Sequence, residues 1–165
     1  MKLIFNSFKF FFFHERLSNK EGKSSEPPNS YTEEVRGGYN LNKSLLKGVE
    51  GIFIPVRDSK VSARWYEEVL GFQLNYIEEE AAVMKISSDS PTVVCLVKVE
   101  YHTPMKFPSN HFGVGKYINF IPEDIETLYD ELKSKGIAVN SLDGDGDKKY
   151  FTFFDPDGNP LGACQ

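Results

Sequence analysis

The chain has 165 residues, 40% of them hydrophobic and 14% aromatic, which fits one domain with a sizeable core. Its net charge of -5 is uneven, because residues 1–47 hold 8 Lys and Arg against 5 Asp and Glu, whereas residues 48–165 hold 11 against 19. An acidic folded part without a basic stripe argues against a nucleic-acid partner, since phosphate contacts require clustered Lys and Arg.

Residues 1–47 are predicted to be a non-core extension. An aromatic-rich run follows Lys2, but polar residues interrupt it and no small-residue cleavage site follows, so a signal peptide is disfavoured. The stretch from Ser18 to Lys47 is polar, rich in Gly, Pro, Ser and Asn, and without apolar periodicity, which is typical of a linker or of disorder. A membrane-surface anchor is the alternative for this extension. For residues 48–165, the predicted folded domain, we expect no membrane partner.

The first half of that domain, about residues 49–100, begins with a strand and a helix. Asp58 is predicted to cap the start of the helix and Gly71 to end it, and Trp65 is expected to pack into the core from the helix's apolar stripe. The predicted strands of this half are Gly51 to Val56, Phe72 to Glu78, Ala82 to Ser87 and Thr92 to Val99.

The second half, about residues 116–165, repeats the same order of elements. Its helix is predicted to begin after Pro122-Glu123-Asp124 and to end at Gly136. A unit of this kind cannot bury both sides of its sheet alone, so we expect two βαβββ modules that pair into a cupped mixed sheet of the α+β class. The predicted strands of this half are Tyr117 to Ile121, Ile137 to Ser141, Tyr150 to Phe154 and Leu161 to Gln165.

The two cysteines, Cys95 and Cys164, both lie in short apolar runs that are typical of buried strands. Thiols placed in this way are more often small hydrophobic side chains than halves of a disulfide or a metal site. We therefore expect two free thiols and a reducing, cytoplasmic location.

Three segments together resemble the vicinal oxygen chelate superfamily, which includes glyoxalase I, bleomycin-resistance proteins, fosfomycin-resistance transferases and extradiol dioxygenases. They are IFIPVRDSKVSARWYEEVLGF at 52–72, YINFIPEDIETLYDELKSKGIAV at 117–139, and FTFFDPDGNPLGACQ at 151–165. The resemblance implies a glyoxalase/bleomycin-resistance-like fold, a concave sheet face that holds a small molecule, and a homodimer.

The resemblance also implies where a metal would be bound, since metal-dependent members place His, Gln or Glu on the first and fourth strands of each module. In this chain the corresponding positions are Gly51, Tyr117 and Gly162, with Cys95 and Val97 as the inward candidates on the fourth strand of the first module. A divalent cation needs several converging N, O or thiolate donors, and Gly and Val have none. We therefore predict no metal cofactor.

The candidate ligand-binding residues lie mainly on strands whose alternation can turn them toward the concave face, together with one residue of the loop that joins the halves. An aromatic-lined pocket with few charges suits an apolar or planar ligand. The candidates are Phe53, Tyr76, Met84, His111, Tyr117, Asn119 and Phe153.

Two functions stay open on these residues. The first is metal-independent binding of a small, partly apolar molecule, as in bleomycin-resistance proteins. The second is a metal-dependent lyase, isomerase or dioxygenase of the glyoxalase type with atypical ligands, for which the available donors are Cys95, Glu100, His102 and His111. No catalytic residue is assigned.

Overall fold

The computed structural model describes residues 44–165 apart from Asp147. Residues 1–43, which carry most of the predicted extension, lie outside this range. Among the described helices, none is long and apolar enough to cross a membrane. The elements in chain order are β1 (Gly51–Val56), α1 (Ser59–Leu70), β2 (Gln73–Ile77), β3 (Ala81–Lys85), β4 (Val93–Lys98), β5 (Asn119–Phe120), α2 (Ile125–Ser134), β6 (Asp143–Asp145), β7 (Lys148–Phe154) and β8 (Pro160–Cys164).

The strands form two four-stranded mixed sheets, as the α+β prediction of two modules requires. The first sheet has the order β1-β4-β3-β2 and the second has the order β5-β8-β7-β6. In each sheet the first strand of the module pairs in parallel with the last, and the other pairs are antiparallel. The two modules therefore share one strand order.

An aspartate caps the start of each helix: Asp58, as predicted, and Asp124, the last residue of the stretch predicted to precede α2. The Asp58 carboxylate accepts hydrogen bonds from the backbone N–H groups of Lys60 and Val61, each at 2.9 Å, and the Asp124 carboxylate accepts one from Thr127 at 2.6 Å. Gly71 ends α1 with a φ of 72°, a left-handed conformation that glycine adopts without strain.

The second module departs from prediction at one edge. Residues 137–141 contribute only an isolated bridge, between Val139 and Phe153, and the edge strand of this sheet is β6 at Asp143–Asp145. Asp143, Gly144 and Asp145 pair with β7 across a tight hairpin. Strand β5 is also shorter than predicted, because only Asn119 and Phe120 pair with β8.

The core lies between the helices and one face of each sheet. On α1 the most buried large side chain is Tyr66, which is fully buried, whereas Trp65 is partly buried against the core and Val61 is 61% exposed. The buried side of α1 is therefore not the apolar stripe that the periodicity predicts. It includes the polar side chains of Ser59 and Ser62.

Candidate functional site

Asp155 is the centre of a buried polar network in the turn between β7 and β8. One carboxylate oxygen accepts hydrogen bonds from the N–H groups of Asp157 (2.9 Å) and Asn159 (2.8 Å). The other accepts from the Tyr66 hydroxyl (3.0 Å) and the Asn159 side-chain amide (2.8 Å). Burial raises the pKa of Asp155, and burial together with the Asp155 charge raises the pKa of Tyr66 well above its usual value. The network fixes the turn against α1.

Asp157 ties the same turn to the start of the first module's helix. Its carboxylate accepts hydrogen bonds from the backbone N–H of Arg57 (3.1 Å), the guanidinium Nε of Arg57 (2.7 Å) and the Ser62 hydroxyl (2.8 Å). Burial alone would raise the pKa of Asp157, but the hydrogen bonds from Arg57 and Ser62 outweigh it, so the pKa is lowered. Asp157 is thus ionised at neutral pH. The hydrogen bond that it accepts from the Ser62 hydroxyl explains why Ser62 is buried.

Asn159 connects this network to the segment that joins the modules. Its amide donates to the Pro55 carbonyl at 2.9 Å, and its side-chain oxygen accepts from the backbone N–H of Met105 at 2.9 Å. Gly158 lies under Pro104, since a Cβ at this glycine would come within 3.3 Å of the proline ring. The segment Thr103–Phe107 is therefore held against the turn, and we call it the roof.

A cavity of about 570 Å³ lies between the roof and the second sheet. Its walls are mostly apolar, and its volume is in the range of about 300–1,000 Å³ that is typical of small-molecule sites. The sheet side is the face of β7 and β8 that points away from the core, which we call the open face. Side chains that line the cavity include Met105, Phe107, Asn140, Thr152, Phe154 and Pro160.

Two polar side chains cross the open face beside this cavity. The Lys116 ammonium donates a hydrogen bond to the Thr152 hydroxyl at 3.0 Å, and Thr152 lines the cavity. Both Lys116 and Asn119 pass over Gly162 on β8, where an added Cβ would overlap the Lys116 stem and the Asn119 side-chain oxygen. Gly162 therefore makes room for a cation on the open face.

Of the sequence-predicted residues, Tyr117 contacts the roof and Asn119 lies over Gly162 on the open face of the second sheet. The Tyr117 ring lies 4.8 Å from the ring of Phe107, and its hydroxyl donates to the Lys106 carbonyl at 3.2 Å. His111 is exposed in the segment that joins the modules. None of Tyr117, Asn119 and His111 is among the residues that line the cavity, although Tyr117 contacts two residues that do.

Phe53 and Tyr76 lie instead on the face of the first sheet that points away from the core, which we call the open face of that sheet. The strand register places them in one row across that sheet, with Cys95 and Val83 between them. Their side chains are 59% and 55% exposed. They share a surface with each other and not with the cavity.

The prediction that Met84 and Phe153 line the pocket is corrected, because both side chains lie in the core with 0% and 1% exposure. Successive strand residues point to opposite faces, so a one-residue offset turns a predicted pocket residue into a core residue. On β7 the residues that reach the cavity are Thr152 and Phe154, which flank Phe153. Alternation with the fully buried Phe151 is the signal that identifies them.

The residues at the superfamily's metal positions do not fit a divalent cation. Gly51 has no side chain, the Tyr117 hydroxyl is engaged with a carbonyl, and the space at Gly162 is taken by the Lys116 stem and the Asn119 side-chain oxygen. Burial, with a smaller effect of Glu50, raises the pKa of Cys95 and disfavours the thiolate that binds metals. Within residues 44–165, excluding Asp147, no three His, Cys, Asp or Glu side chains converge into a possible metal site.

Cys95 is buried, as expected, but Cys164 is exposed at the end of β8, and both are free thiols. Cys164 pairs with Tyr150 on the open face of the second sheet, because the register of β8 alternates around the buried Ala163. The prediction that both thiols are buried is therefore corrected for Cys164.

Comparison with known proteins gives one family and many structures of the same fold. TnmS3, an antibiotic binding protein from Streptomyces sp. CB03234, is 22% identical with a TM-score of 0.58, over 73% of this chain and 97% of that one. A glyoxalase family protein from Enterococcus faecalis is 22% identical with a TM-score of 0.59, over 74% and 100%. A putative glyoxalase family protein from Bacillus anthracis is 16% identical with a TM-score of 0.60, over 74% and 97%.

The comparison with curated protein sequences gave no match. The sequence model of the Glyoxalase/Bleomycin resistance protein/Dioxygenase superfamily matches residues 48–162, which is most of the chain and nearly all of the part that the structure describes. The chain belongs to the Glyoxalase/Bleomycin resistance protein/Dioxygenase superfamily.

Proposed function

We propose that this protein binds a small, partly apolar molecule in the cavity under the roof, without a metal ion. The observation that carries the proposal is the roofed cavity itself, whose walls are mostly apolar. Beside it, the Lys116 side chain takes the space over Gly162, the position where the superfamily places a metal ligand. One structural neighbour is an antibiotic binding protein, which supports a binding role for the fold. A reducing, cytoplasmic location is part of the proposal, and the two free thiols fit it.

A charge on the cavity wall is expected to weaken the binding of an apolar ligand. Phe107 lines the cavity, so Phe107→Asp should weaken binding of the neutral fluorescent probe N-phenyl-1-naphthylamine by about tenfold or more, because an aromatic wall is replaced by a solvated anion. Phe112→Asp is the matched control, since Phe112 is 91% exposed on the same segment, and it should leave the affinity unchanged.

The same titration separates the proposal from the metal-dependent alternative. Binding is expected to be equal with and without a chelator, and metal analysis with nickel, zinc, manganese and iron should show no stoichiometric tight binding. A probe that fails to bind, or that responds equally to both Asp variants, argues against this cavity. Stoichiometric metal would favour the lyase, isomerase or dioxygenase.

We also propose a homodimer in which a second copy covers the open face of the first sheet. The row from Phe53 to Tyr76 supports it, because a large aromatic side chain is exposed at each end of this row on one sheet face. Light scattering should give twice the chain mass for the native protein and the monomer mass for Phe53→Glu. Val61→Glu, at an equally exposed site on α1, should remain dimeric, and an unchanged mass for Phe53→Glu would refute this interface.

A further inference from the structure

We propose that Lys116 selects ligands that carry an anionic oxygen group, such as a carboxylate, sulfonate or phenolate, on an apolar body. This inference rests on the proposed function, since it names the ligand class of the same cavity. The charge that a metal supplies elsewhere in the superfamily is supplied here by a side-chain ammonium.

The position of the ammonium carries the first step. Lys116 Nζ donates a hydrogen bond to the Thr152 hydroxyl, and Thr152 forms part of the cavity wall, so one side chain separates the cation from the cavity. An ammonium has three donors. Among the described residues Thr152 is its one hydrogen-bond partner, which leaves donors for a ligand oxygen.

The lack of a counter-ion is the second step. The ion pairs of the described residues join Arg57 to Asp157, Lys98 to Glu79 and Lys149 to Glu126, and no described carboxylate pairs with Lys116. Residues 48–165 are acidic overall, so any preference for anions must come from a local cation and not from the global field. The half-buried Lys116, which has no carboxylate partner among the described residues, supplies such a cation.

Gly162 is the third step, because it shows that space for Lys116 is built into β8. A side chain at this position would overlap the Lys116 stem and Asn119. Gly162, which stands where the superfamily places a metal ligand, therefore also leaves space for the Lys116 side chain. Gly162→Ala should displace the ammonium without changing the net charge of the protein.

Lys106 provides the control for charge alone. It also lines the cavity, but it is exposed on the roof, where water solvates its ammonium. If general attraction between cations and anions determined binding, Lys106 and Lys116 would contribute equally. The proposal predicts that Lys116 dominates.

Two probes with one apolar body test this in the full-length protein. N-phenyl-1-naphthylamine is neutral, and 8-anilinonaphthalene-1-sulfonate adds a sulfonate to the same ring system. The native protein should bind the sulfonate more tightly. Lys116→Met should weaken sulfonate binding by about tenfold and leave the neutral probe within about twofold, because a charge-assisted hydrogen bond is lost and the apolar contacts stay.

Lys106→Met and Lys116→Arg should keep the preference, and Gly162→Ala should lose it while the thermal transition of each variant remains cooperative. A preference that is unchanged in Lys116→Met, or lost equally in Lys106→Met, overturns the inference and leaves the proposed function intact. Failure of the native protein to bind either probe overturns the proposed function and this inference with it.

Discussion

Replacing Asp155 with Ala is expected to lower the free energy of unfolding by about 4 kcal/mol, because the carboxylate is the acceptor for four buried donors. Those donors are two backbone N–H groups of the turn, the Tyr66 hydroxyl and the Asn159 amide. Each one left without a partner costs on the order of 1–3 kcal/mol. The turn also connects the two modules, so its loss affects both.

The estimate lies at the lower end of the sum of four such costs for a physical reason. Burial raises the pKa of Asp155, which shows that the ionised form is itself disfavoured in the fold, and deleting the group removes that penalty. Water reaching the truncated site satisfies some donors as well. The melting temperature should fall by roughly 10–20 °C.

Asp130→Ala is the matched control, since Asp130 is exposed on α2 and its side chain makes no hydrogen bond with any described residue. Its effect on the free energy of unfolding should stay within about 0.5 kcal/mol. Chemical denaturation followed by circular dichroism measures both variants. A loss below about 1 kcal/mol for Asp155→Ala would show that the network does not stabilise the fold.

Local signals made most of the fold predictable from the sequence. Asp58 and Asp124 act through side-chain bonds to N–H groups two or three residues away, and Gly71 acts through its own φ angle. Such effects need no tertiary information. The predicted strand that does not form, at residues 137–141, makes one bridge to β7, whose beginning pairs with β6 instead.

Which face of each element is buried was less predictable than the elements themselves, and α1 shows why. Apolar periodicity favours Trp65 and Val61 as the buried side, but Tyr66 is fully buried because its hydroxyl reaches Asp155. That acceptor lies 89 residues away in sequence. Hydrophobic pattern alone has no means of anticipating a distant partner that makes a polar side chain suitable for the core.

The candidate site depended on tertiary contacts even more strongly. Gly162 is visible in the sequence as a missing metal ligand, but only the fold shows that Lys116, from before β5, crosses over it to reach β7. A long flexible side chain that spans three strands leaves no periodic signal. Thr152 and Phe154 did leave one, through alternation with buried Phe151, and were missed by a one-residue offset.

The Asn159→Asp variant is expected to lose roughly 3–5 kcal/mol of unfolding free energy at neutral pH, although it changes only an amide nitrogen to an oxygen. Asn159 is fully buried, and its amide donates to Asp155 and to the Pro55 carbonyl. A carboxylate there would face an acceptor on each side and place two like charges within hydrogen-bond distance. The contact with Met105 survives, because it uses the oxygen that both side chains share.

The pH dependence distinguishes this charge repulsion from a simple loss of hydrogen bonds. In the variant, a carboxyl at position 159 next to Asp155 has a folded pKa above its unfolded value, since burial and a like charge both favour the neutral form. The stabilisation from the bound proton is therefore complete below the unfolded pKa, near 4, and is lost as pH rises through the folded pKa.

The stability difference between native protein and Asn159→Asp should accordingly shrink as pH falls from 7 toward 4. Asn140→Asp, at an exposed site without a side-chain hydrogen bond to a described residue, should show a small difference at every pH. A deficit for Asn159→Asp that stays constant from pH 7 to 4 would assign the loss to the Pro55 hydrogen bond. A deficit that shrinks shows that Asn159 keeps the turn together by holding a neutral donor against Asp155.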